Sequence, residues 1–197
     1  MIAIRGHSSP LAQALVRLLP EGEQIRVVGR DSNITGAERH LFCQGTLTPE
    51  TIGRQSKDEI QRSFWGNFAD VARQCDEIFE TNDSARVCVI GSESGFSWSY
   101  DGAYAAAKAG LHLYVETKRL RAAAQQLICI APSIIADGGM TMRREDSENL
   151  KAREAAHRKG RFLTCHEVAK LIHHVLYVDD GYLSGVVLRM NGGQHAQ

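Results

Sequence analysis

Short apolar runs alternate along this chain with longer stretches of helical periodicity. The apolar runs are rich in β-branched residues and are closed by small or polar residues, which is typical of buried strands. Strands that alternate with helices predict an α/β fold built on one doubly wound parallel sheet. We expect about six strands, at Ile2–Arg5, Gln24–Val28, His40–Cys43, Val87–Ile90, Gln126–Ala131 and Ser184–Met190.

The stretches between these strands predict the helices. They run from about Pro10 to Leu19, from Thr48 or Lys57 to Glu80, from near Gly102 to about Ala124, and from Cys165 to Val178. The polar stretch from Asp137 to Lys159 is either a solvated loop and helix or a substrate lid, with Glu145–His157 as its amphipathic helix. A chain of 197 residues is long enough for one domain with a substantial core, so we assign 1–197 to a single domain.

Composition narrows the classes of function. Charged residues make up 23% of the chain and the net charge is zero, so the attraction that dominates nucleic-acid binding is missing. The longest apolar runs are far too short to cross a membrane, and Met1–Gly6 enters a strand without a signal-peptide pattern. The five cysteines are scattered singly, with neither metal-ligand nor disulfide spacing. We therefore expect a cytoplasmic protein with no bound metal.

Tyr104 and Lys108 are the most informative pair in the chain. Four residues apart on a helix, they lie on the same face, where an ammonium lowers the pKa of a phenol from about 10 toward neutrality. Such a tyrosine exchanges a proton readily with a substrate oxygen. Upstream, Ser92 and Ser94 follow the strand Val87–Ile90, at the carboxyl end where open α/β sheets bind ligands.

A strand, a serine and then Tyr-Ala-Ala-Ala-Lys, in this order, resemble the short-chain dehydrogenase/reductase family. The stretch from Arg161 to Gly193 is similar to the last helix, turn and final strand of that family. The resemblance covers nearly the whole chain and is strongest from residue 60 onward. It implies a Rossmann-like fold, but the stretch between Val28 and Phe42 is too short for the family's usual helix, third strand and helix. One crossover is therefore expected to be missing.

The resemblance also implies catalytic roles. Tyr104 would give its proton to a carbonyl oxygen, and Lys108 would lower the pKa of that tyrosine and hold the ribose of a cofactor. Ser92 would donate a hydrogen bond to the same oxygen; Ser94 is the alternative, although the spacing favours Ser92. Asn67 resembles the family's mid-helix asparagine and would support a water that reaches Lys108. The plainer alternatives are a strand-end serine, surface helix partners and an ordinary helix-surface amide.

The run Gly6–Gln13 resembles the family's glycine-rich turn, with only the first glycine kept. Pro10 and Ala12 stand in place of the other two, and a proline ring obstructs the approach of a ligand to the backbone. Ser8 or Ser9 can cap the helix that follows, whose free N–H groups attract a diphosphate. The alternative is a capped helix with no ligand.

Three further positions resemble parts of a dinucleotide site. Arg30, after the second strand, can hold a 2′-phosphate, which favours NADP over NAD; otherwise it belongs to a solvated turn. Gly45 is the glycine kept from the family's Asn-Asn-Ala-Gly. Pro132 and Ile135 lie in a run like the one beside the nicotinamide, where Asp137 replaces the customary threonine and would repel a diphosphate.

Two functions follow from these patterns. The first is an NADP-dependent oxidoreductase that interconverts a carbonyl and an alcohol on a small organic substrate. The second is a protein of the same fold that has lost catalysis and serves as a binding or regulatory module, as the altered glycine turn and the absent crossover suggest. The resemblance implies a homodimer or homotetramer, formed through the helices that carry Asn67 and Tyr104, where small residues from Ala105 to Gly110 make a smooth surface.

Overall fold

Six parallel strands form the centre of the protein, in the order β2-β1-β3-β4-β5-β6. The computed structural model describes residues 1–29, 35–97 and 99–194. Every neighbouring pair of strands runs parallel, which confirms the predicted α/β class and the predicted strand number in the described part. The strands are β1 (Ile2–Arg5), β2 (Ile25–Val28), β3 (Arg39–Phe42), β4 (Arg86–Ile90), β5 (Gln126–Pro132) and β6 (Val186–Met190).

Six α-helices connect these strands. They are α1 (Pro10–Val16), α2 (Lys57–Phe64), α3 (Asp70–Thr81), α4 (Gly102–Thr117), α5 (Ser147–Ala155) and α6 (Cys165–His173). A π-helical turn over Trp65–Ala69 joins α2 to α3, and a second one over His174–Val178 follows α6. Capping boxes start α2 at Ser56 and α6 at Thr164, as the sequence pattern of Ser or Thr three residues before Glu favours.

The helix that carries Tyr104 is shorter than the sequence suggests. It ends at Thr117 instead of Ala124, because the backbone of Lys118 is already extended. The ammonium of Lys118 is 2.6 Å from Asp76 Oδ1, and the guanidinium of Arg121 donates to the carbonyl of Phe79 at 2.9 Å. These contacts tie the end of α4 to α3 instead of prolonging the helix.

Helices cover both faces of the sheet, as a doubly wound fold requires. One core layer holds side chains of α1 and α6, and the other holds side chains of α3 and α4. Ile2 and Ile4 point into the first layer while Ala3 points into the second, which is the alternation of a strand. All seven residues of β5 are buried, as expected for a strand with helices on both sides.

The outer strand β2 is more exposed than the other strands. Val27 is 60% exposed and Ile25 37%. Among the described residues no strand pairs with the outer edge of β2, which agrees with the expected loss of one crossover. The sheet therefore ends at β2, and β1 lies between β2 and β3.

The small residues around Tyr104 do not form an open surface. Ala105 is 3% exposed and Ala107 is fully buried within the chain. A Cβ atom at Gly110 would lie 3.3 Å from the ring of Phe68, so that glycine is covered by the π-helical turn before α3. The predicted smooth surface is therefore only partly on the outside: Ala105 and Ala107 are buried, Ala106 and Gly110 are half-buried and Ala109 is exposed. None of the described helices combines the length and the apolar character that crossing a bilayer requires.

Candidate active site

Ser92 lies where β4 ends and a short 3-10 turn over Glu93–Gly95 begins. Its hydroxyl oxygen accepts a hydrogen bond from the backbone N–H of Ser94 at 3.2 Å. The hydroxyl of Ser92 lies beside the phenol of Tyr104 and acts to lower its pKa. Strand β4 and helix α4 thus bring the predicted serine and tyrosine together.

Asp101 fixes the start of the helix that carries the tyrosine. Its carboxylate accepts a hydrogen bond from the backbone N–H of Tyr104 at 2.9 Å and caps α4. The same carboxylate accepts from Gln55 Nε2 at 2.8 Å and from the backbone N–H of Thr48 at 2.7 Å. Asp101 is only 4% exposed, so it ties the loop after β3 to the helix. An aspartate just before Gly-Ala-Tyr is a cap pattern, which could have revealed this role from the sequence.

Tyr104 and Lys108 are both almost fully buried, at 7% and 3% exposure. Burial raises the pKa of Tyr104 to about 12, although the neighbouring Ser92 hydroxyl acts in the opposite direction. Burial also lowers the pKa of Lys108 to about 8. The Lys108 ammonium is 5.7 Å from the centre of the Tyr104 ring and donates to the carbonyl oxygen of Ile90 at 2.6 Å. The pKa of Tyr104 is thus shifted away from neutrality in this arrangement, opposite to the expected direction, and burial is the largest cause.

Asn67 lies in the π-helical turn and is fully buried, so it is not a helix-surface amide. Its Oδ1 accepts from the backbone N–H of Thr46 at 3.1 Å, and its Nδ2 donates to the carbonyl of Thr46 at 2.9 Å. The same Nδ2 also lies 3.0 Å from the carbonyl oxygen of Ser63. Asn67 therefore holds the loop after β3 against the helix. π-Helical turns such as this one are often found at functional sites.

Gly6 makes the turn after β1 possible. It has φ +84°, and a Cβ atom at this position would lie 2.7 Å from the backbone nitrogen of Gln44. Both the conformation and the close approach of β3 require glycine here. Ser9 caps α1 by accepting from the backbone N–H of Ala12 at 3.1 Å, whereas Ser8 is exposed. Of the two predicted caps, Ser9 is the one used.

Cys43 links β3 to this turn, at a position where the resembled motif has asparagine. Its thiol donates to the carbonyl oxygens of Arg5 and Gly6, at 3.2 and 3.4 Å, and lies 3.5 Å from Ser9 Oγ. Burial raises the pKa of Cys43 to about 11, so the group remains a thiol at neutral pH. The sequence alone does not reveal this role, because cysteine is not an obvious replacement for an amide.

Asp137 has a structural partner. Its carboxylate accepts a hydrogen bond from the backbone N–H of Cys165, the first residue of α6, at 2.7 Å. Arg144 follows Asp137 in the same polar segment. It forms an ion pair with Asp146, whose carboxylate lies 2.5 Å from the guanidinium. Pro132 ends β5, and Ile135 forms a parallel bridge with Leu163. The segment after β5 is therefore anchored to the start of α6.

The loop that follows Asp137 covers the space beside the glycine turn. The Met140 methyl would lie only 2.8 Å from a Cβ atom at Gly45, so the thioether packs directly on that glycine. A Cβ atom at Gly139 would lie 3.4 Å from Pro10, which brings the same loop onto the start of α1. The predicted lid helix is α5, Ser147–Ala155, which is shorter than expected.

Gln44 is relevant to whether a dinucleotide fits here. Both polar atoms of its side-chain amide are buried and have no hydrogen-bond partner among the described residues. Buried amides are usually paired, so the Gln44 amide beside Gly45 has the hydrogen-bonding capacity to fit a polar ligand at this place. Arg30, which the sequence suggests for the 2′-phosphate, lies outside the described residues.

No protein-family model matches the sequence, and no curated protein matches it. Solved structures do match. A short-chain dehydrogenase family protein from Francisella tularensis subsp. tularensis SCHU S4 has a TM-score of 0.85 and 16% identity, over 100% of this chain and 98% of that one. A short-chain dehydrogenase/reductase family oxidoreductase from Burkholderia thailandensis has a TM-score of 0.85 and 17% identity, over 100% and 92%.

A 3-oxoacyl (acyl-carrier-protein) reductase from Agrobacterium tumefaciens C58, solved with NADP bound, has a TM-score of 0.83 and 14% identity, over 97% of this chain and 93% of that one. Identities this low establish the fold and leave the activity open. The chain has the fold of the short-chain dehydrogenase structures over its whole length.

Proposed function

We propose that this protein is an oxidoreductase of the short-chain dehydrogenase type, which interconverts a carbonyl and an alcohol on a small organic substrate with NADP(H). The observation that carries the proposal is that the partly buried Ser92 and the buried Tyr104 and Lys108 lie together at the carboxyl edge of β4, with the Ser92 hydroxyl beside the tyrosine. The fold supports it, and one similar structure contains NADP.

Tyr104 is the proposed acid. With a pKa raised to about 12 by burial, its phenol keeps its proton at neutral pH and is ready to give it to a carbonyl oxygen. Ser92 would donate a hydrogen bond to the same oxygen and stabilise the charge that develops on it. NADPH, when bound, would supply the hydride.

Lys108 would keep a positive charge beside the acid. Below pH 8 or so its ammonium is protonated, and the carbonyl of Ile90 holds it in place. We propose that it also binds the cofactor ribose. The amide of Asn67 is committed to Thr46 and Ser63, so Asn67 would support proton transfer to Lys108 by holding the loop after β3 beside the site.

The residues beside the glycine turn fit a dinucleotide in part. The unpaired amide of Gln44 and the tight turn at Gly6 favour a polar ligand there, whereas Met140 has to leave Gly45 before that ligand can enter. The residues that we propose hold the cofactor are Gly6, Ser8, Ser9, Arg30, Gly45, Tyr104, Lys108, Pro132 and Ile135.

Arg30 is proposed from the sequence alone. Changing it to aspartate should shift the ratio of the NADPH and NADH dissociation constants toward tighter binding of NADH. Equal affinities in the parent protein would contradict its role.

Tyr104→Phe tests the mechanism most directly. The change deletes only the proposed proton donor, so turnover should be lost while the fold and the affinity for NADPH stay the same. Turnover is followed by NADPH absorbance on a substrate found in a carbonyl panel. Tyr100→Phe is the matched control, because the Tyr100 hydroxyl is exposed and donates to Glu50. If Tyr104→Phe keeps most of the activity, Tyr104 is not the acid.

A second function, a non-catalytic binding module, is favoured by the packing of Met140 on Gly45 and of Gly139 on Pro10. A module that has lost its cofactor has no need to keep this space open. NADPH at 100 times its dissociation constant should stabilise an enzyme of this fold by about 2.7 kcal/mol. Comparing the melting temperature with NADPH, with NADH and with neither distinguishes the two functions, and no shift with either nucleotide favours the module.

We also propose that two copies of the chain associate through the neighbouring helices of the Tyr104 side. Ala105 and Ala107 are buried, but Ala109 is exposed, and Trp65 and Leu113 are 56% and 61% exposed. Large apolar side chains at the centre of a two-fold contact are used twice, once from each copy. Light scattering should give a mass at least double the 21.7 kDa of one chain, and Leu113→Glu should reduce the measured mass to that of a monomer. A parent protein of single mass would contradict the association.

A further inference from the structure

His112 continues the row of buried residues that begins with Tyr104 and Lys108. The three are spaced by four residues on α4 and therefore lie on one face of the helix. The imidazole of His112 is only 4% exposed, and its Nε2 accepts a hydrogen bond from the backbone N–H of Ser92 at 3.3 Å. The ring thus contacts the backbone of the proposed catalytic serine.

Two glycines on either side of Ser92 leave the space that this ring fills. A Cβ atom at Gly91 would lie 2.4 Å from Nε2 of His112, and one at Gly95 would lie 2.5 Å from its Cε1. Neither glycine has a positive φ, so the backbone conformation does not require glycine at these positions. The requirement is room, for the imidazole at both glycines and also for the Cys129 sulfur at Gly91 and the Ala109 backbone at Gly95.

Phe96 closes the other side of the ring. It follows the 3-10 turn and stacks on His112, with the ring centres 4.5 Å apart and the planes at 30°. The guanidinium of Arg189 lies 4.3 Å from the centre of the Phe96 ring and pairs with Glu93. His112 therefore contacts the segment Gly91–Gly95 at three points, namely Gly91, the backbone of Ser92 and Gly95.

The protonation state suits this contact. Since Nε2 accepts a hydrogen bond, the neutral ring carries its proton on Nδ1. Burial lowers the pKa of His112 to about 4, with the charges of Lys108 and Arg189 acting in the same direction and that of Glu93 against them. The ring is therefore neutral over the physiological range, and Nε2 remains an acceptor.

We propose that His112 is a positioning residue, which holds the turn Gly91–Gly95 so that the hydroxyl of Ser92 faces Tyr104. This inference rests on the proposed function. Replacing the ring by an aliphatic side chain leaves the N–H of Ser92 unpaired and the turn free to shift. A misplacement of about 1 Å at a reacting group costs on the order of 100-fold in rate, so kcat should fall by that factor while KM changes little.

Three variants separate positioning from simple packing. The side-chain oxygen of His112→Gln reaches as far from the backbone as Nε2 does, whereas the amide of His112→Asn reaches only as far as Nδ1. His112→Leu fills the space and accepts nothing. Glutamine should restore most of kcat, and asparagine and leucine should not. Leu111→Ala, in the core layer between α4 and α3, is the control: it should lower stability and leave kcat unchanged.

A second readout does not depend on turnover. In the parent protein, ¹⁵N NMR should show the Nδ1–H form of His112, and the amide proton of Ser92 should exchange slowly with solvent. That exchange should speed up in the leucine and asparagine variants and stay slow in the glutamine variant. If no substrate is ever turned over, the proposed function fails while this test still stands. An Nε2–H ring, parental kcat in His112→Leu, or equal behaviour of glutamine and asparagine would overturn the positioning role.

Discussion

The ammonium of Lys108 donates a hydrogen bond to the carbonyl oxygen of Ile90 at 2.6 Å. This neutral partner holds the side chain at the end of β4 but offsets little of the cost of burying a positive charge. Burial accordingly lowers the pKa of Lys108 from an ordinary value of 10.5 to about 8. The site thus stores an unfavourable charge where the chemistry is proposed to occur.

Lys108→Met should stabilise the protein at neutral pH. Between pH 8 and 10.5 the unfolded chain binds more protons at Lys108 than the folded chain does, so its contribution to stability rises with pH there. At pH 7 the free energy of unfolding of the variant should therefore exceed that of the parent by about 2 kcal/mol, once the loss of the hydrogen bond to Ile90 is subtracted. This difference should shrink by pH 10.

Urea unfolding of both proteins at pH 7 and pH 9.5 measures this difference. Lys57→Met, at an exposed position, controls for the general effect of removing one positive charge. A stability difference that is the same at both pH values would show that Lys108 is not a costly buried charge.

Gly6→Ala should be among the more destabilising changes in the glycine turn. A side chain there meets both the left-handed conformation and the backbone of Gln44, for a loss of about 3 kcal/mol. Gly22→Ala is a matched control, since Gly22 has φ +82° and a Cβ atom there would meet nothing within 4 Å. It should lose only about 1 kcal/mol from backbone strain. Equal shifts in the urea midpoint of the two variants would mean that the approach to Gln44 costs nothing.

Asn67→Ala should loosen the loop after β3. The change leaves the backbone N–H and carbonyl of Thr46 without their side-chain partner, which should cost about 2 kcal/mol or more. We expect faster proteolysis in the loop 46–55 as well as a lower urea midpoint. Asn149→Ala removes an exposed amide that donates to Asp146 and should change neither. Unchanged cleavage in the Asn67 variant would contradict its role as the tie.

Met140→Ala should tighten NADPH binding if the protein is an enzyme. Removing the thioether clears the space beside Gly45 without any change in the groups proposed to hold the cofactor. We expect a several-fold lower dissociation constant in a fluorescence titration, because the covered form no longer competes. Met142→Ala serves as the control from the same loop, where the side chain is 70% exposed. Equal affinity in the two variants would show that Met140 does not block the nucleotide.

The sequence predicts the sheet well because burial on both faces makes each strand a short apolar run, as in Gln126–Pro132. It also predicts that Ser92, Tyr104 and Lys108 meet, since strand order and helix periodicity suffice for that. It could not predict the direction in which the pKa of Tyr104 shifts, because burial, the largest cause, is a property of the packed protein.

Contacts between distant parts of the chain were also beyond the sequence. Asp137 bonds to the backbone of Cys165, and Met140 packs on Gly45. Neither contact produces a periodic pattern in the sequence, because each depends on the path by which a loop packs against the rest of the protein. The helix end at Thr117 was missed for the same reason, since contacts with α3 turn the chain where helix propensity alone would continue it.

The exposed strand β2 also has a consequence for engineering. Strand β2 is the outermost strand on its side of the sheet. The carboxyl ends of β1, β3 and β4, which carry the candidate site, lie further inside, and these strands pair with one another without interruption. Shortening a parallel sheet from its outer end thus leaves the interior arrangement intact, whereas removing an inner strand would separate the site's halves. This protein therefore marks where a compact scaffold of the same architecture can be trimmed, and the outward face of β2, with Val27 at its centre, is the surface that a designer would make polar first.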